Sequence, residues 1–518
     1  MADCSEMLVV GLDCGTSVVK AAAFDPQGNE VAVAQSTLEG LSPQRGWMEY
    51  RPEDMWSAAA GALRELVNSE AVSPDAIAAI GPTGAGNGVL LLDEDDSPVR
   101  NGIFAVDIRA ADMMARDAEE GMPAKTRAIN GQTTWTGQTF CLLKWLREHE
   151  PESLDRAAKV LVIKDYVKFR LTGQYVGDAS EQSKVGLMDI SRGECTEELL
   201  ALYNIEALLD RLPPIRGSTE VIGGLTAEAA RETGLKQGTP VVSGLADIDA
   251  SALGAGVVRA GQMSIVAGTW SINQLFVDEP AIDPRFFGLS FYAVEGVYEH
   301  LEASPSSTAN LTWFINQACG DLQREAEDKG CSVYDLINEL VDSVEPASTE
   351  VFFHPYLYGA NTKTNARAGF YGLAGWQDRA DLLAALYEGV VFSHNHHVEK
   401  LRTLEEQVSE IRLSGGAARS EVWSRMFADV IGLPVTVPRA QEVGALGAAM
   451  CAAVGADVHP DLLEAADRMV HTAHVHQPDA ELHERYAERY ECYKRVTELM
   501  GPVWDKLSGV FSRPEPGE

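Results

Sequence analysis

The chain has 518 residues, 45% hydrophobic and 23% charged, a balance that excludes a mostly disordered protein and sets an expectation of two domains. Its 77 acidic residues against 42 basic ones leave a net charge of −35, a field that repels nucleic-acid phosphates and anionic membrane surfaces. Partners are therefore expected among neutral small molecules or metal-complexed anions, with no nucleic acid and no membrane.

The opening MADCSEMLVVGLDCG carries two acids and no lysine or arginine before its apolar run, so neither a secretory signal nor a transit peptide is expected. No apolar run reaches the roughly 18 residues of a membrane span. The eight cysteines, from Cys4 to Cys492, form no CxxC pair and read as reduced thiols of a cytoplasmic protein.

The runs MLVVGL, VVKAAAFD and EVAVAQS, separated by DCGTS and PQGNE, predict three antiparallel strands. The segment PEDMWSAAAGALRELVNS then predicts a helix, with start signals from Pro52 to Asp54. Near residue 262 the pattern returns as QMSIV, AGTW and SINQLFVD, a strand, a Gly-Thr turn and a second strand. Mixed strands and helices of this kind point to α/β layers. The Gly-rich passage KQGTPVVSGLADIDASALGAG marks the expected boundary, giving domains at 1–256 and 257–518. In PDAELHERYAERYECYKRVTELM, Leu482, Tyr486, Tyr490, Tyr493, Val496 and Met500 recur at helical spacing, predicting a docking helix on the second domain.

Four motifs carry chemistry. In GLDCGTSVVK, Asp13 ends a strand and Gly15, Thr16 and Ser17 make a reversal whose amides and hydroxyls can hold a phosphate; an ordinary hairpin turn with Gly15 at positive φ is the bland alternative. A carboxylate at that place is useful for holding Mg²⁺. The second motif, Gly268-Thr269 in SIVAGTWSI, repeats the idea and suggests two hairpins gripping one polyphosphate. In the third, SGLADIDASALGAG, Asp247 stands at a predicted helix start, where the macrodipole favours an ionised carboxylate able to accept a proton; plain capping by Asp247 or Asp249 is the alternative. The fourth, IRLSGGAARSEVWSRMFADVIGLPV, sets a strand, Gly415-Gly416 and a helix, with backbone open to a planar ligand or phosphate; a plain strand-to-helix turn competes. The small-residue run that follows, PRAQEVGALGAAMCAAVG, reads as a structural, closely packed helix.

From Met7 to about Met500 the order of these segments resembles the FGGY carbohydrate kinases. DCGTS and AGTW are similar to the family's two phosphate segments, GLADIDASALG to its catalytic Asp segment, and LSGGAARSEVWSRMFADVIGLPV to its adenosine segment. YEGVVFSHNHHVEKLR is similar to the helix before that segment. The resemblance implies two actin-like (ribonuclease H-like) ATPase domains around a central cleft, with ATP and Mg²⁺ as cofactors. It implies Asp247 as general base, Asp13 and Asp247 near the metal, and Gly15, Thr16, Ser17, Gly268, Thr269, Gly415, Gly416 and Ser420 around ATP.

Asn87 and Asp107 fall where family members hydrogen-bond the sugar. This chain carries Gly86-Asn87 and Val106-Asp107 where typical D-xylulose kinases carry Met-His and Trp-Asn-Asp. The segments GLSPQRGWMEY and QTTWTGQTFCLLKWLREHEPE resemble the L-xylulose and 3-keto-L-gulonate kinase branch, with D-xylulose, erythritol and glycerol kinases as alternatives. A non-enzymatic actin-like ATP-binding protein is the alternative of another class. A homodimer is an open expectation, since dimers are common in the family.

Overall fold

The computed structural model describes residues 7–360, 365–405, 407–408 and 410–511. The three predicted strands form: β1 (Leu8–Cys14), β2 (Val18–Phe24) and β3 (Glu30–Thr37) pair antiparallel, with Asp13 opposite Lys20 and Val18 opposite Thr37. All of β1 except Asp13 is buried, which is why it reads as a continuous apolar run and not an alternating one. On its other side β1 pairs in parallel with Ile77–Gly84, which in turn pairs in parallel with Pro240–Val242 and, further along, with Leu245–Ala246. The carboxyl ends of parallel strands are the usual place for a ligand in such a sheet, and here they carry Asp13 and, directly after Ala246, Asp247. The helix Pro52–Val67 starts where Pro52, Glu53 and Asp54 indicated and buries Met55, Trp56, Leu63 and Leu66 in the core of this sheet.

The chain divides into two compact units, and the division is not one cut in sequence. The first holds the chain up to Ala260 together with Phe276–His300 and Pro438–His471; the second holds Gly261–Leu275, Leu301–Val437 and the chain from Thr472. Segments 276–300 and 438–471, beyond the expected boundary near residue 256, thus cluster with the first unit.

The small-residue run in the second of these segments becomes the helix Val443–Gly455, and glycines at the contact allow backbone to lie on backbone. A Cβ on Gly11 would fall 1.8 Å from the Ala445 carbonyl oxygen, and one on Gly81 1.9 Å from that of Ala448. The same holds against the helix Asp247–Gly254, where a Cβ on Gly447 would fall 2.0 Å from the Ala250 carbonyl oxygen.

In the second unit Met263–Ala267 and Ser271–Val277 form the predicted hairpin, closing at Ala267 opposite Ser271. Ile411–Ser414 pairs in parallel with the first of these strands, so that Val266 and Ser414 end side by side. The helix Arg379–Leu401, started by a capping box between Asp378 and Asp381, and the helix Glu421–Ile431, capped by Ser420, complete the expected order of this half. The last helix, Ala480–Phe511, buries Tyr486, Tyr490 and Tyr493. Among the described residues no helix is long and apolar enough to cross a membrane, and all seven cysteines are unpaired thiols.

Candidate active site

The first unit brings together Asp13, Asp247 and a residue that sequence reasoning did not select, Glu181. Asp247 is the first residue of its helix, and its Oδ1 accepts the Ile248 N–H at 2.8 Å. Its Oδ2 has no protein donor among the described residues. Burial first, then the negative charges of Asp13 and Glu181, push the Asp247 carboxyl up to about 7. Asp249, the other capping alternative, is fully buried and paired with Lys184 at 2.9 and 3.0 Å, so it anchors the helix and does not face the same place as a free acid.

Asp13 is lifted by burial to about 6, with Lys20 opposing the shift. It packs beside Gly444, where a Cβ would sit 3.3 Å from Asp13 Oδ2. The turn Gly15-Thr16-Ser17 follows, with Ser17 exposed and its carbonyl accepting the Leu38 N–H at 2.8 Å. Gly15 is not among the residues at positive φ; a side chain is excluded instead by the Val18 carbonyl oxygen, 2.7 Å from its Cβ position.

Asn87 lies in the left-handed region at φ 62°, and its N–H donates to Glu181 Oε1 at 3.0 Å. Its Oδ1 accepts the Thr139 N–H at 3.3 Å, leaving the amide Nδ2 without a protein acceptor among the described residues. Asp107 is placed differently from the expectation that it hydrogen-bonds a sugar. It is fully buried, and both of its oxygens are already taken: Oδ1 by the Arg109 backbone N–H and Nε, Oδ2 by an Arg109 terminal nitrogen and the Met48 N–H. Arg109 in turn reaches Glu49 and lies 4.0 Å over the Trp47 ring. Asp107 therefore holds this segment together, and Asn87 and Glu181 supply the open polar atoms.

The second unit brings its two glycine turns together beside a cavity. Gly415, at φ 86°, lies so close to the first strand that a Cβ would meet the Ala267 carbonyl oxygen at 2.7 Å and the Gly268 nitrogen at 3.0 Å. The two glycine turns, distant in sequence, are thus in contact. The Gly268 carbonyl accepts from the Thr308 N–H at 2.9 Å and hydroxyl at 2.7 Å, and the Thr269 carbonyl accepts the Ser307 N–H at 2.9 Å. A Cβ on Gly268 would meet nothing within 4 Å, and Thr269 is exposed, so packing does not demand this pair.

Beside Gly416 opens a cavity of about 350 Å³ lined by Thr308, Tyr334, Asn338, Tyr387 and Ser420. Ser420 caps the next helix by accepting the Trp423 N–H at 3.2 Å and donates to Asn338 Oδ1 at 2.7 Å; the Tyr387 hydroxyl donates to the same oxygen at 3.0 Å. Ser420 thus shapes the cavity wall and points Asn338, whose Nδ2 has no protein acceptor among the described residues, toward it. The Tyr387 and Trp423 rings stack at 4.0 Å and stiffen that wall.

Two mixed sheets, each headed by a hairpin with a glycine-hydroxyl turn, fit the actin-like ATPase fold of the sugar kinases. The model of the N-terminal domain of the FGGY family of carbohydrate kinases matches residues 8–254, and that of its C-terminal domain residues 263–456. The chain belongs to this family, whose members transfer phosphate to sugar hydroxyls from ATP.

It is 37% identical to the L-xylulose/3-keto-L-gulonate kinase of Escherichia coli K12 over 94% of this chain and 96% of that one. It is 35% identical to a probable L-xylulose kinase of Pasteurella multocida, over 94% and 98%. The crystal structure of xylulose kinase from Rhodospirillum rubrum, 29% identical, superposes with a TM-score of 0.84 over 96% of this chain and 100% of that one.

Proposed function

We propose that this carbohydrate kinase transfers the γ-phosphate of ATP to a hydroxyl of a small ketose, L-xylulose or a close relative, with Asp247 as general base. The observation that carries the reading is the 37% identity, along almost the whole chain, to the L-xylulose/3-keto-L-gulonate kinase. Asp247 suits the role of base, because Oδ1 is held by the helix start, Oδ2 is open, and a carboxyl tuned to about 7 accepts a proton near neutral pH.

In the first unit the sugar is oriented by the Asn87 amide, and its reacting hydroxyl passes a proton to Asp247 Oδ2. Gly15, Thr16 and Ser17 there suit phosphate through amides and hydroxyls, and so, within the second unit, do Gly268, Thr269, Gly415 and Gly416. The cavity beside Gly416 takes the adenosine, with Asn338 Nδ2 as donor. Asp13 and Asp247 suit Mg²⁺: both are oxygen donors, Asp13 raises the carboxyl of Asp247, and the neighbouring Lys20 is engaged by Glu442 at 2.8 Å. When bound, the metal neutralises charge on the phosphate oxygens.

The deciding experiment is an ADP-release screen over pentuloses, hexuloses, tetritols and glycerol. L-xylulose is expected to give the highest kcat/KM. A far higher value for D-xylulose or glycerol overturns the choice of sugar, and no sugar-stimulated ADP release with any compound overturns the reading as a whole.

A further inference from the structure

Glu181 is the most exceptional titratable residue of the first unit outside the expected motifs. It belongs to the short helix Ala179–Lys184, whose side chains from Ser180 to Lys184 are all polar and all buried. Most of them are accounted for. Asp178 caps the helix, accepting the Glu181 N–H at 3.1 Å and the Ser180 hydroxyl, and pairs with Lys164. The Ser180 oxygen accepts the Ala246 N–H at 3.0 Å, which ties this helix to the residue before Asp247. Lys184 is bound by Asp249 and Glu299. Gln182 reaches Asp165 at 3.3 Å, and the Ser183 hydroxyl donates to the Ala179 carbonyl at 2.8 Å.

The carboxylate of Glu181 is not accounted for. The side chain has no exposed surface, and among the described residues Oε1 accepts only the Asn87 N–H and Oε2 has no hydrogen-bond partner. Leaving such an oxygen unpaired costs about 1–3 kcal/mol, which a fold keeps where a ligand completes the bond. Both oxygens face Gly86, with Oε1 3.1 Å and Oε2 3.4 Å from the position of a Cβ there. Gly86 is itself partly open to solvent, so a small backbone shift there would uncover the buried Oε2 to a ligand. The neighbours of Glu181 include Asn87, whose N–H it accepts, and Asp247, whose carboxyl feels its charge.

We infer that Glu181 is a substrate-binding residue, its Oε2 accepting a hydrogen bond from a hydroxyl of the sugar other than the one phosphorylated. Asn87 and Glu181 then act as a pair: the peptide N–H of one fixes the carboxylate of the other, and Oε2 and Nδ2 offer an acceptor and a donor to neighbouring hydroxyls. With Asp13, Asp247 and Glu181 all acidic, the site is matched to a neutral polyhydroxy ketone. This inference rests on the proposed reading as a ketose kinase.

The test uses the full-length enzyme with L-xylulose and its single-deoxy analogues. Glu181→Gln keeps the size and an oxygen for the Asn87 N–H; it is expected to raise KM for L-xylulose about 10- to 100-fold while KM for ATP stays within about twofold. One deoxy analogue, used by the wild type about 10- to 100-fold less well than L-xylulose, should lose that penalty in the variant. Glu181→Asp, which withdraws the carboxylate by one methylene, should show the same split between the two KM values.

Melting temperatures of both variants separate loss of fold from loss of binding. Unchanged KM for L-xylulose in both folded variants, or the same deoxy penalties in wild type and Gln variant, overturns the inference and leaves the kinase reading intact. Absence of turnover by the wild type with every sugar overturns the reading on which it rests.

Discussion

Replacing Asp247 with Asn should separate chemistry from stability, and the structure sets the sign of both effects. The Asn Oδ1 still accepts the Ile248 N–H that Asp247 accepts at 2.8 Å, so the helix start is kept. It cannot take a proton, and kcat should fall about 10²- to 10⁴-fold, or about 3–5 kcal/mol of transition-state stabilisation. Stability should move the other way. Asp247 titrates in the fold at about 7 against an ordinary 3.8, because burial and the charges of Asp13 and Glu181 oppose its ionisation.

Between those two values the folded protein holds a proton that the unfolded chain has released. The stabilisation present at low pH is therefore lost as pH rises through 7. A shift of this size corresponds to about 4 kcal/mol at most, and partial solvent access reduces it to about 1–3 kcal/mol. An uncharged Asn escapes that cost. The variant should melt higher than the wild type at pH 8, with the difference shrinking toward pH 4. The assay is thermal denaturation at several pH values in EDTA, so that no divalent cation masks the repulsion, beside ADP release with sugar and Mg²⁺. A variant no more stable than the wild type at pH 8 refutes the electrostatic argument, and near-wild-type kcat removes Asp247 from the role of base.

Other substitutions test the scaffold. Gly415→Ala places a side chain at φ 86° against the Ala267 carbonyl oxygen; KM for ATP should rise several-fold with KM for the sugar unchanged, as steady-state kinetics can show. Gly447→Ala drives a methyl into the Ala250 carbonyl, 2.0 Å away, and should destabilise the first unit by about 1–3 kcal/mol or more, read by urea denaturation together with a fall in kcat as the helix bearing Asp247 shifts. His394 and His354 are fully buried, and desolvation lowers them to about 3 and about 4. The unfolded chain protonates both below about 6.5 while the fold does not, so these two histidines by themselves lower stability by about 2 kcal/mol between pH 7 and 5.5, against the opposite drift from raised carboxyls such as Asp247 and Asp13. Calorimetry of the wild type beside His394→Asn isolates one histidine: on going from pH 7 to 5.5 the change in stability of the variant should be about 1 kcal/mol more favourable than that of the wild type.

Much of this protein could be read from its sequence because its determinants are local. The alternation of apolar runs and turns predicts β1 to β3, Pro52 to Asp54 start the first long helix, and the strand, Gly415-Gly416 turn and helix of the fourth motif follow in the order read. The position of Asp247 at a helix start was equally legible, because the strand before it and the small-residue run after it are adjacent in the chain.

What lay beyond the sequence depends on pairs of residues brought together from far apart. Nothing in GALGAAMCAAVG says that its Ala445 carbonyl lies against Gly11 of β1, that Gly447 receives the backbone of the helix that carries Asp247, or that Gly444 lies beside Asp13. Asp107, expected at a sugar-binding position, has both of its oxygens engaged by Arg109 and Met48, which no spacing in the chain indicates. Glu181 was hidden most completely, since Asp178 and Glu181 have the spacing of a capping box. The chain uses only half of that box: Asp178 accepts the Glu181 N–H, while the Glu181 carboxylate turns to the Asn87 N–H. Spacing sets which groups are within reach of each other along one helix, but which of them is left unpaired is decided by the residues that tertiary folding packs around it.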